Sequence, residues 1–217
     1  MNYIIPVHNE EENISHLIRA IFTHDFAPNI CVINSASSDQ SIKLAQGYPV
    51  HILDAPQGYT QALSYGYKYA RHQEWDSLIQ LDGDGQHHPM YAKGLHDQLE
   101  HADWAIGSRH YTGSYGNWGV RFSSWMCTRT LLSKQLKDPS SGYWALNKMM
   151  IHRFANLFPV LYTELPLRMS QMNVTRICEY AIPMGVREEG VSMNAGWKGI
   201  CHGLRMMRYA YSMQKKL

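Results

Sequence analysis

The first half of the chain alternates short apolar runs with segments in which apolar residues recur every three or four positions. The helical spacing is clearest at Ile14, Leu17, Ile18 and Ile21. The short apolar runs predict strands over residues 3–7, 29–33, 50–53, 76–81 and 104–106. Alternation of this kind predicts an α/β fold with a mostly parallel central sheet, covered by helices on both faces.

The helices predicted between these strands begin at polar residues. Asn9 is expected to cap the first helix, with Glu10 to Glu12 in its first turn, where the helix dipole favours acids. Later helices are predicted to begin at Ser37 to Asp39 and to span residues 57–71 and 89–99.

After residue 110 the pattern changes. It indicates a loop over 111–118, a helix over 120–136, a turn from Asp138 to Gly142, strands over 143–146 and 174–184, a polar loop over 187–197 and a helix over 203–217. We expect one domain over residues 1–195 and a basic amphipathic helix over 196–217. That helix could lie on a membrane surface, or could dock on the core or on a second subunit of a homo-oligomer.

Composition narrows the class of protein. The 217 residues are enough for one domain with a full core, and 45% of them are hydrophobic. A net charge of +2 is too small to indicate a nucleic-acid partner. The four widely spaced cysteines make a zinc site or a disulfide framework improbable, and no signal peptide or membrane-spanning run is visible. A cytoplasmic protein is expected, with a peripheral position at the cytoplasmic membrane face as the open alternative.

The most informative candidate chemistry follows the fourth predicted strand. Asp82 and Asp84 stand two positions apart in a glycine loop, and such a pair is either a solvated turn or a site for a hard cation such as Mg²⁺ or Mn²⁺. Gln86 could add a neutral ligand. Of the two histidines that follow, His87 and His88, neither is expected to bind metal, and both are interpreted as loop surface or as the entry to a helix.

Two other strand ends should meet this loop, because carboxyl ends of parallel strands share one edge of the sheet. After the first strand, His8 offers a stacking face and Glu10 an acceptor for a nucleotide, although a helix cap explains the same residues. After the second strand, Asn34 and Ser35 add polar side chains, although for this segment on its own a capped strand-to-helix turn is the favoured explanation.

The order of these segments resembles family 2 glycosyltransferases. The segments that carry the resemblance are Ile5 to Glu11, Asn34 to Asp39, Asp82 to Pro89, Gly107 to Arg109, Asp138 to Tyr143 and Arg187 to Ser192. The last three are similar to the dolichyl- or polyprenyl-phosphate sugar synthase branch. The resemblance implies a GT-A fold, which is Rossmann-like, and a nucleotide-diphosphate sugar as donor.

The resemblance also implies roles for individual residues. A divalent metal, Mg²⁺ or Mn²⁺, would lie at Asp82, Asp84 and Gln86, and the nucleotide near Pro6, His8 and Glu10. Arg109 would lie near the diphosphate or an acceptor phosphate. Asp138 and Ser141 would lie on the sugar and acceptor side, and Arg187 and Ser192 on a loop that closes over the donor.

This sequence departs from the family pattern at several positions. The family usually has a tyrosine where His8 stands and an acid where Asn34-Ser35 stands, so the usual acceptor for the base or ribose is missing. Met193 stands where a lysine is common, and the transmembrane helices of many relatives are not seen.

The predicted function is inverting, metal-dependent transfer of a sugar to a polyprenyl or dolichyl phosphate. Charge on the leaving diphosphate would be neutralised by the metal and by Arg109. A phosphate acceptor needs no strong base, whereas an alcohol would need one, for which Asp138 is the candidate. The alternatives are a soluble transferase acting on a saccharide and a nucleotide-sugar-binding protein without turnover.

Overall fold

Seven strands form one sheet in the part of the chain that the computed structural model describes, which is residues 1–110, 138, 141–159 and 176–183. The strands are β1 (Asn2–Val7), β2 (Asn29–Asn34), β3 (His51–Asp54), β4 (Ser77–Gln80), β5 (Trp104–His110), β6 (Trp144–Asn147) and β7 (Ile177–Pro183). Their order across the sheet is β3-β2-β1-β4-β6-β5-β7. Among these strands β6 runs antiparallel to both of its neighbours, and the other pairs are parallel. The predicted mostly parallel sheet is confirmed.

Helices cover both faces of this sheet. They are α1 (Ile14–His24), α2 (Ser41–Ala45), α3 (Tyr59–His72), α4 (Ala92–Asp97) and α5 (Lys148–Leu157), with 3-10 turns at Pro89–Tyr91 and Gln98–Glu100 on either side of α4. One core cluster joins the sheet to α3 and α5, and a second joins it to α1, α2 and α4.

The residues of β1 show why both faces are covered. Ile4 packs into the cluster with α3, whereas Tyr3 and Ile5 pack into the cluster with α1. All three side chains are buried, as expected for a strand in the middle of a parallel sheet, where neither face meets water.

The predicted start of the first helix is wrong. Helix α1 begins at Ile14 rather than after Asn9, and Asn9 has a positive φ of 55°. The amide hydrogens of Asn9 and Glu11 point instead to side chains of the loop after β2, at Ser37 Oγ and Asp39 Oδ2. The polar residues after β1 therefore join two loops and do not cap a helix.

Helix α5 was not predicted from the sequence, although a signal for it exists. Asn147 caps it, because its side chain accepts a hydrogen bond from Met150 N at 3.0 Å. Met150, Ile151, Phe154 and Ala155 then recur at helical spacing and are all buried.

Several predicted segments lie outside the described residues. They are the loop over 111–118, the helices over 120–136 and 203–217, the loop over 187–197 and the division of the chain at residue 195. Within the described residues, no helix has both the length and the apolar character that crossing a membrane requires.

Candidate functional site

The carboxyl ends of β1, β2, β3 and β4 meet at one edge of the sheet, as the sequence predicted. Ser35 N donates a hydrogen bond to Val7 O at 2.8 Å, and Ala55 N donates to Asn34 O at 2.9 Å. Strand β6 runs the other way, so the residues that precede it, Gly142 and Tyr143, arrive at this same edge. The site is built from these converging loops.

The loop after β1 is fixed to the loop after β2 by a histidine. His8 Nδ1 lies 2.8 Å from Ser35 O, and a carbonyl can only accept, so Nδ1 carries the hydrogen. The ring is exposed, while Pro6 is buried in the strand just before it. An imidazole with a fixed orientation and an exposed ring could stack on a flat ligand.

Further along, backbone amides of the first loop donate to side chains of the second. Glu10 N donates to Ser41 Oγ at 2.7 Å, and Glu11 N donates to Asp39 Oδ2 at 3.0 Å. Burial raises the pKa of the Asp39 carboxyl, but hydrogen bonds from Ser41 and from the Glu11 amide outweigh it, so the pKa lies below its ordinary value. Ala36 lies between these contacts and has a φ of 56°, a backbone conformation that residues other than glycine rarely adopt. The two loops form one interlocked unit.

An acid lies beside Asn34, although β2 itself ends without the acid that the family usually has there. Asn34 Nδ2 donates to Asp54 Oδ1 at 2.8 Å, and the two residues are register partners at the ends of β2 and β3. Asn34 Oδ1 accepts from Ser37 N at 2.9 Å, which fixes which way the amide faces.

Asp82 lies in a tight environment at the end of β4. Its Oδ1 accepts a hydrogen bond from Tyr59 Oη at 2.8 Å, and its Oδ2 lies 3.9 Å from His87 Nδ1. A Cβ on Gly142 would lie 2.3 Å from Asp82 Oδ2, so only glycine fits there without a shift. Helix α3, the loop after β4 and the segment before β6 together determine where this carboxylate lies.

A network of buried polar side chains supports that arrangement from inside the core. Gln80 is fully buried in β4, and its Oε1 accepts from Tyr67 Oη. Its Nε2 donates to Gly142 O at 3.0 Å and lies 3.4 Å from Tyr59 Oη. Buried polar groups that are satisfied in this way restrict the core to one arrangement, so the position of Tyr59, and through it Asp82, is set by the interior.

The glycine loop around Asp84 packs against the end of β1. Asp84 Oδ1 accepts from Gln86 N at 3.1 Å. A Cβ on Gly83 would meet Pro6 O at 3.1 Å, and Gly85 has a φ of 73°. The glycines allow both the turn and the close approach to β1.

The two histidines after this loop have different environments. His88 is exposed, and its Nδ1 accepts from Met90 N at 3.2 Å, so its predicted role at a helix entry is confirmed. The surface interpretation of His87 is wrong: the side chain is 3% exposed, and its ring lies 5.2 Å from that of Tyr143. Neighbouring side chains in an extended segment point in opposite directions, which explains the difference.

The remaining predicted residues lie on the far side of the edge or beyond the described part. Asp138 and Ser141 are both buried, and Asp138 N donates to Glu179 Oε1 on β7 at 2.7 Å. Arg109 lies next to last in β5, whose carboxyl end is at the same edge. Arg187 and Ser192 lie outside the described residues.

The donor atoms at this edge fit a hard cation that is shared with a substrate. Carboxylate oxygens are the ligands that Mg²⁺ and Mn²⁺ prefer, and a phosphate-bound cation needs only one or two of them. The described residues contain no group of three or more His, Cys, Asp or Glu that could hold a metal ion. Asp82 and Asp84 would supply the protein's share.

Sequence reasoning missed Tyr59, Gly142 and Asp54 as parts of the site. Gln80, a polar residue inside an apolar strand directly before Asp82, was the signal that a buried polar network lies here. Tyr59 and Asp54 had no comparable signal, because each reaches the site through a tertiary contact.

Comparisons with known proteins agree with this geometry. The model of the family described as "Glycosyl transferase family 2" matches residues 3–158. Undecaprenyl-phosphate mannosyltransferase of Micrococcus luteus is 29% identical over 65% of this chain and 64% of its own length. Polyprenol monophosphomannose synthase of Mycolicibacterium smegmatis is 28% identical over 69% of this chain and 62% of its own length. The chain thus matches less than two thirds of either relative.

Solved structures show the same fold at low identity. Glucosyl-3-phosphoglycerate synthase of Mycobacterium tuberculosis, in complex with phosphoglyceric acid, has a TM-score of 0.75 at 14% identity, over 97% of this chain and 78% of its own. Mannosyl-3-phosphoglycerate synthase of Rubrobacter xylanophilus has a TM-score of 0.74 at 11% identity, over 100% of this chain and 75% of its own. A further structure of the Mycobacterium tuberculosis enzyme contains Mn²⁺ and UDP. The predicted GT-A fold is confirmed.

Proposed function

Because the chain belongs to glycosyl transferase family 2, which its match over residues 3–158 shows, we propose that it transfers a sugar from a nucleotide-diphosphate sugar to a polyprenyl phosphate. The observation that carries the proposal is the position of Asp82. Its carboxylate lies where the ends of β1 and β4, the start of α3 and the segment before β6 meet.

Asp82 and Asp84, with Gln86 beside them, would hold Mg²⁺ or Mn²⁺ together with the diphosphate. The bound ion would supply Lewis-acid neutralisation of the leaving diphosphate. Tyr59 and Gly142 keep the Asp82 carboxylate in one place, and preorganised groups of this kind need no rearrangement during the reaction. His8, Glu10, Asn34 and Ser35 would bind the nucleoside.

A phosphate acceptor suits the remaining residues. A phosphate monoester is ionised near neutral pH and needs no strong base to attack the sugar. Arg109, at the carboxyl end of β5, would bind the donor diphosphate or the acceptor phosphate. Asp138 would act as a base only if the acceptor were an alcohol. The two bacterial relatives named above, whose names specify undecaprenyl phosphate and polyprenol, support a lipid acceptor.

Two further parts of the proposal concern residues outside the described part. Arg187 and Ser192 would lie on a loop that closes over the donor. The basic segment over residues 196–217 would place a domain of residues 1–195 at the cytoplasmic face of a membrane. A homo-oligomer formed through the same segment is the alternative.

The test is a donor-by-acceptor screen with purified protein and Mn²⁺ or Mg²⁺. UDP- and GDP-linked hexoses with a radiolabelled sugar are offered with polyprenyl phosphate in detergent, with oligosaccharides, or with no acceptor. We expect metal-dependent transfer of label into the organic phase with polyprenyl phosphate. Asp76→Asn changes a residue far from the site, at the amino-terminal end of β4, and should transfer the sugar as wild type does.

Other outcomes separate the alternatives. Label that enters only the oligosaccharide would contradict the lipid acceptor but keep the transferase. Nucleotide binding with neither transfer nor nucleotide release, for any donor, would indicate a binding protein without turnover.

A further inference from the structure

Asn34 stands at the end of β2, where the family usually has an acid, and Asp54 of the neighbouring strand lies against it. We propose that Asp54, held by Asn34, is the group that binds the base edge of the nucleotide. It would select bases whose ring nitrogen carries a hydrogen, such as uracil and guanine. This inference rests on the proposed function and assigns a specificity-determining residue to the same site.

The position of Asp54 follows from the register of the sheet. Asn34 and Asp54 are the last residues of β2 and β3 and are directly paired. The loop after Asp54 returns to β2, because Gly58 N donates to Ser35 Oγ at 2.9 Å. The bond to Asn34 fixes the Asp54 carboxylate at the sheet edge. Because Asp54 is exposed, this carboxylate remains open to a ligand.

The pair of side chains has a defined polarity. Asn34 Oδ1 accepts from Ser37 N and Nδ2 donates to Asp54 Oδ1, so the amide cannot turn over without losing both bonds. Asp54 therefore presents a carboxylate oxygen, which can only accept a hydrogen bond. Asn34 Nδ2 carries a second hydrogen that can donate to a neighbouring carbonyl. An acceptor next to a donor complements a base in which a ring N–H stands beside a carbonyl.

The geometry of the edge places this pair where a base would end. Strands in a sheet lie about 4.8 Å apart, so β3 and β4 are separated by roughly 14 Å across β2 and β1. A nucleoside diphosphate in an extended conformation covers a comparable length. With its phosphates at Asp82 and its base on the exposed ring of His8, the nucleotide would extend from β4 toward the ends of β2 and β3, where Asp54 lies.

The same pair of side chains disfavours bases without a ring N–H. Uracil and guanine have a ring N–H that a carboxylate accepts. Adenine and cytosine have a lone pair at the corresponding ring nitrogen, which a carboxylate repels, and their amino group would reach Asp54 only if the base shifted along the edge. A site discriminates most strongly when a wrong ligand leaves one of its polar groups unpaired.

The experiment measures binding of UDP, GDP, ADP and CDP in the presence of Mn²⁺ by titration calorimetry. We expect wild type to bind UDP or GDP at least about tenfold more tightly than ADP and CDP, the value of one hydrogen bond to a charged group. Asp54→Asn keeps the shape and the contact to Asn34 but removes the charge. It should weaken the preferred nucleotide by about tenfold or more and reduce the preference among bases.

Two controls isolate the base edge. Inorganic pyrophosphate with Mn²⁺ should bind wild type and Asp54→Asn equally, because it has no base. Asp76→Asn makes the same charge change at the opposite end of the sheet and should leave all four affinities unaltered.

The results separate this inference from the function on which it rests. Wild-type affinity for the preferred nucleotide in Asp54→Asn, or equal binding of all four nucleotides by wild type, would overturn the role of Asp54 and leave the transferase intact. If wild type binds none of the four with Mn²⁺, the proposed function itself fails, and this inference with it.

Discussion

The two halves of the site are held in place by different means. At the β1-β2 side, the exposed His8 and the half-buried Glu10 are joined to the buried Ser35 and Ser41 by the bonds His8 Nδ1 to Ser35 O and Glu10 N to Ser41 Oγ. At the β4-β6 side, Asp82 is fixed by Tyr59, which contacts the fully buried Gln80. The first half lies between loops at the surface, and the second half is attached to the core.

Because of this difference, we expect the two sides of the site to have different roles. A nucleoside can vary between donors, and surface loops can change sequence without disturbing a core. A cation and a diphosphate have the same geometry in every donor, so their ligands benefit from a rigid interior. Changes at the β4-β6 side should therefore affect the reaction, and changes at the β1-β2 side should affect the choice and affinity of the nucleotide.

The largest effect is expected from Gly142→Ala. The new Cβ would lie 2.3 Å from Asp82 Oδ2, so the carboxylate must move. A misplacement of about 1 Å can cost on the order of a hundredfold in rate, and we expect a loss of that size in metal-dependent transfer. The free energy of unfolding should fall by about 1–3 kcal/mol.

Gly47→Ala is the matched control for that substitution. Its Cβ would meet only Leu44 O, at 3.3 Å, just after the short helix α2 and away from the site. Transfer by Gly142→Ala at the rate of Gly47→Ala would show that the Asp82 position is not critical.

A smaller effect is expected from Tyr59→Phe. The change removes the hydrogen bond to Asp82 Oδ1 and keeps the ring. The loss of one bond to a charged group lowers the rate by about tenfold, and the Mn²⁺ concentration needed for half-maximal rate should rise. Tyr65→Phe on the exposed side of α3 is the control; equal kinetics in the two variants would contradict a positioning role for Tyr59.

On the β1-β2 side, Ser41→Ala should affect stability and nucleotide affinity more than turnover. Ser41 is buried, and its loss leaves Glu10 N without its acceptor at a cost of about 1–3 kcal/mol. Urea unfolding and nucleotide titration measure the two effects, with Ser15→Ala on α1 as the control. A fall in the transfer rate at saturating donor, with no change in nucleotide affinity, would contradict the different roles proposed for the two halves of the site.

The smallest effect concerns pH. The pKa of Asp39 in the folded protein lies below the value of 3.8 for an unperturbed group. The unfolded chain therefore binds the proton first, so the contribution of Asp39 to stability is present above about pH 4 and is lost as pH falls through the folded pKa. Urea unfolding of wild type and Asp39→Asn should converge on acidification. A difference that stays constant with pH would contradict the role of its charge.

Much of the fold could be predicted from the sequence because its signals are local. Apolar runs and helical spacing located the strands and most helices, and the shared edge of parallel strands correctly placed the loops after Val7, Ile33 and Leu81 at one edge of the sheet. The start of α1 was wrong because polar residues near Asn9 could cap a helix or bond to another loop. Only the fold decides between these partners.

The site was predictable to the same extent. Asp82 and Asp84 were found because they stand two positions apart in the sequence and follow a buried strand. Asp54 and Tyr59 were missed, since their partners Asn34 and Asp82 are 20 and 23 residues away. Long-range contacts of this kind leave no periodic trace in a sequence.

The central claim is that Asp82 and Asp84 hold a divalent cation together with a diphosphate. The most direct test is electron paramagnetic resonance of Mn²⁺ with wild type, Asp82→Asn and Asp84→Asn, with and without UDP or GDP. We predict that the signal of free Mn²⁺ falls most when wild type and nucleotide are both present, and that either variant largely abolishes this fall. Binding of Mn²⁺ and nucleotide by both variants as tightly as by wild type would contradict the account.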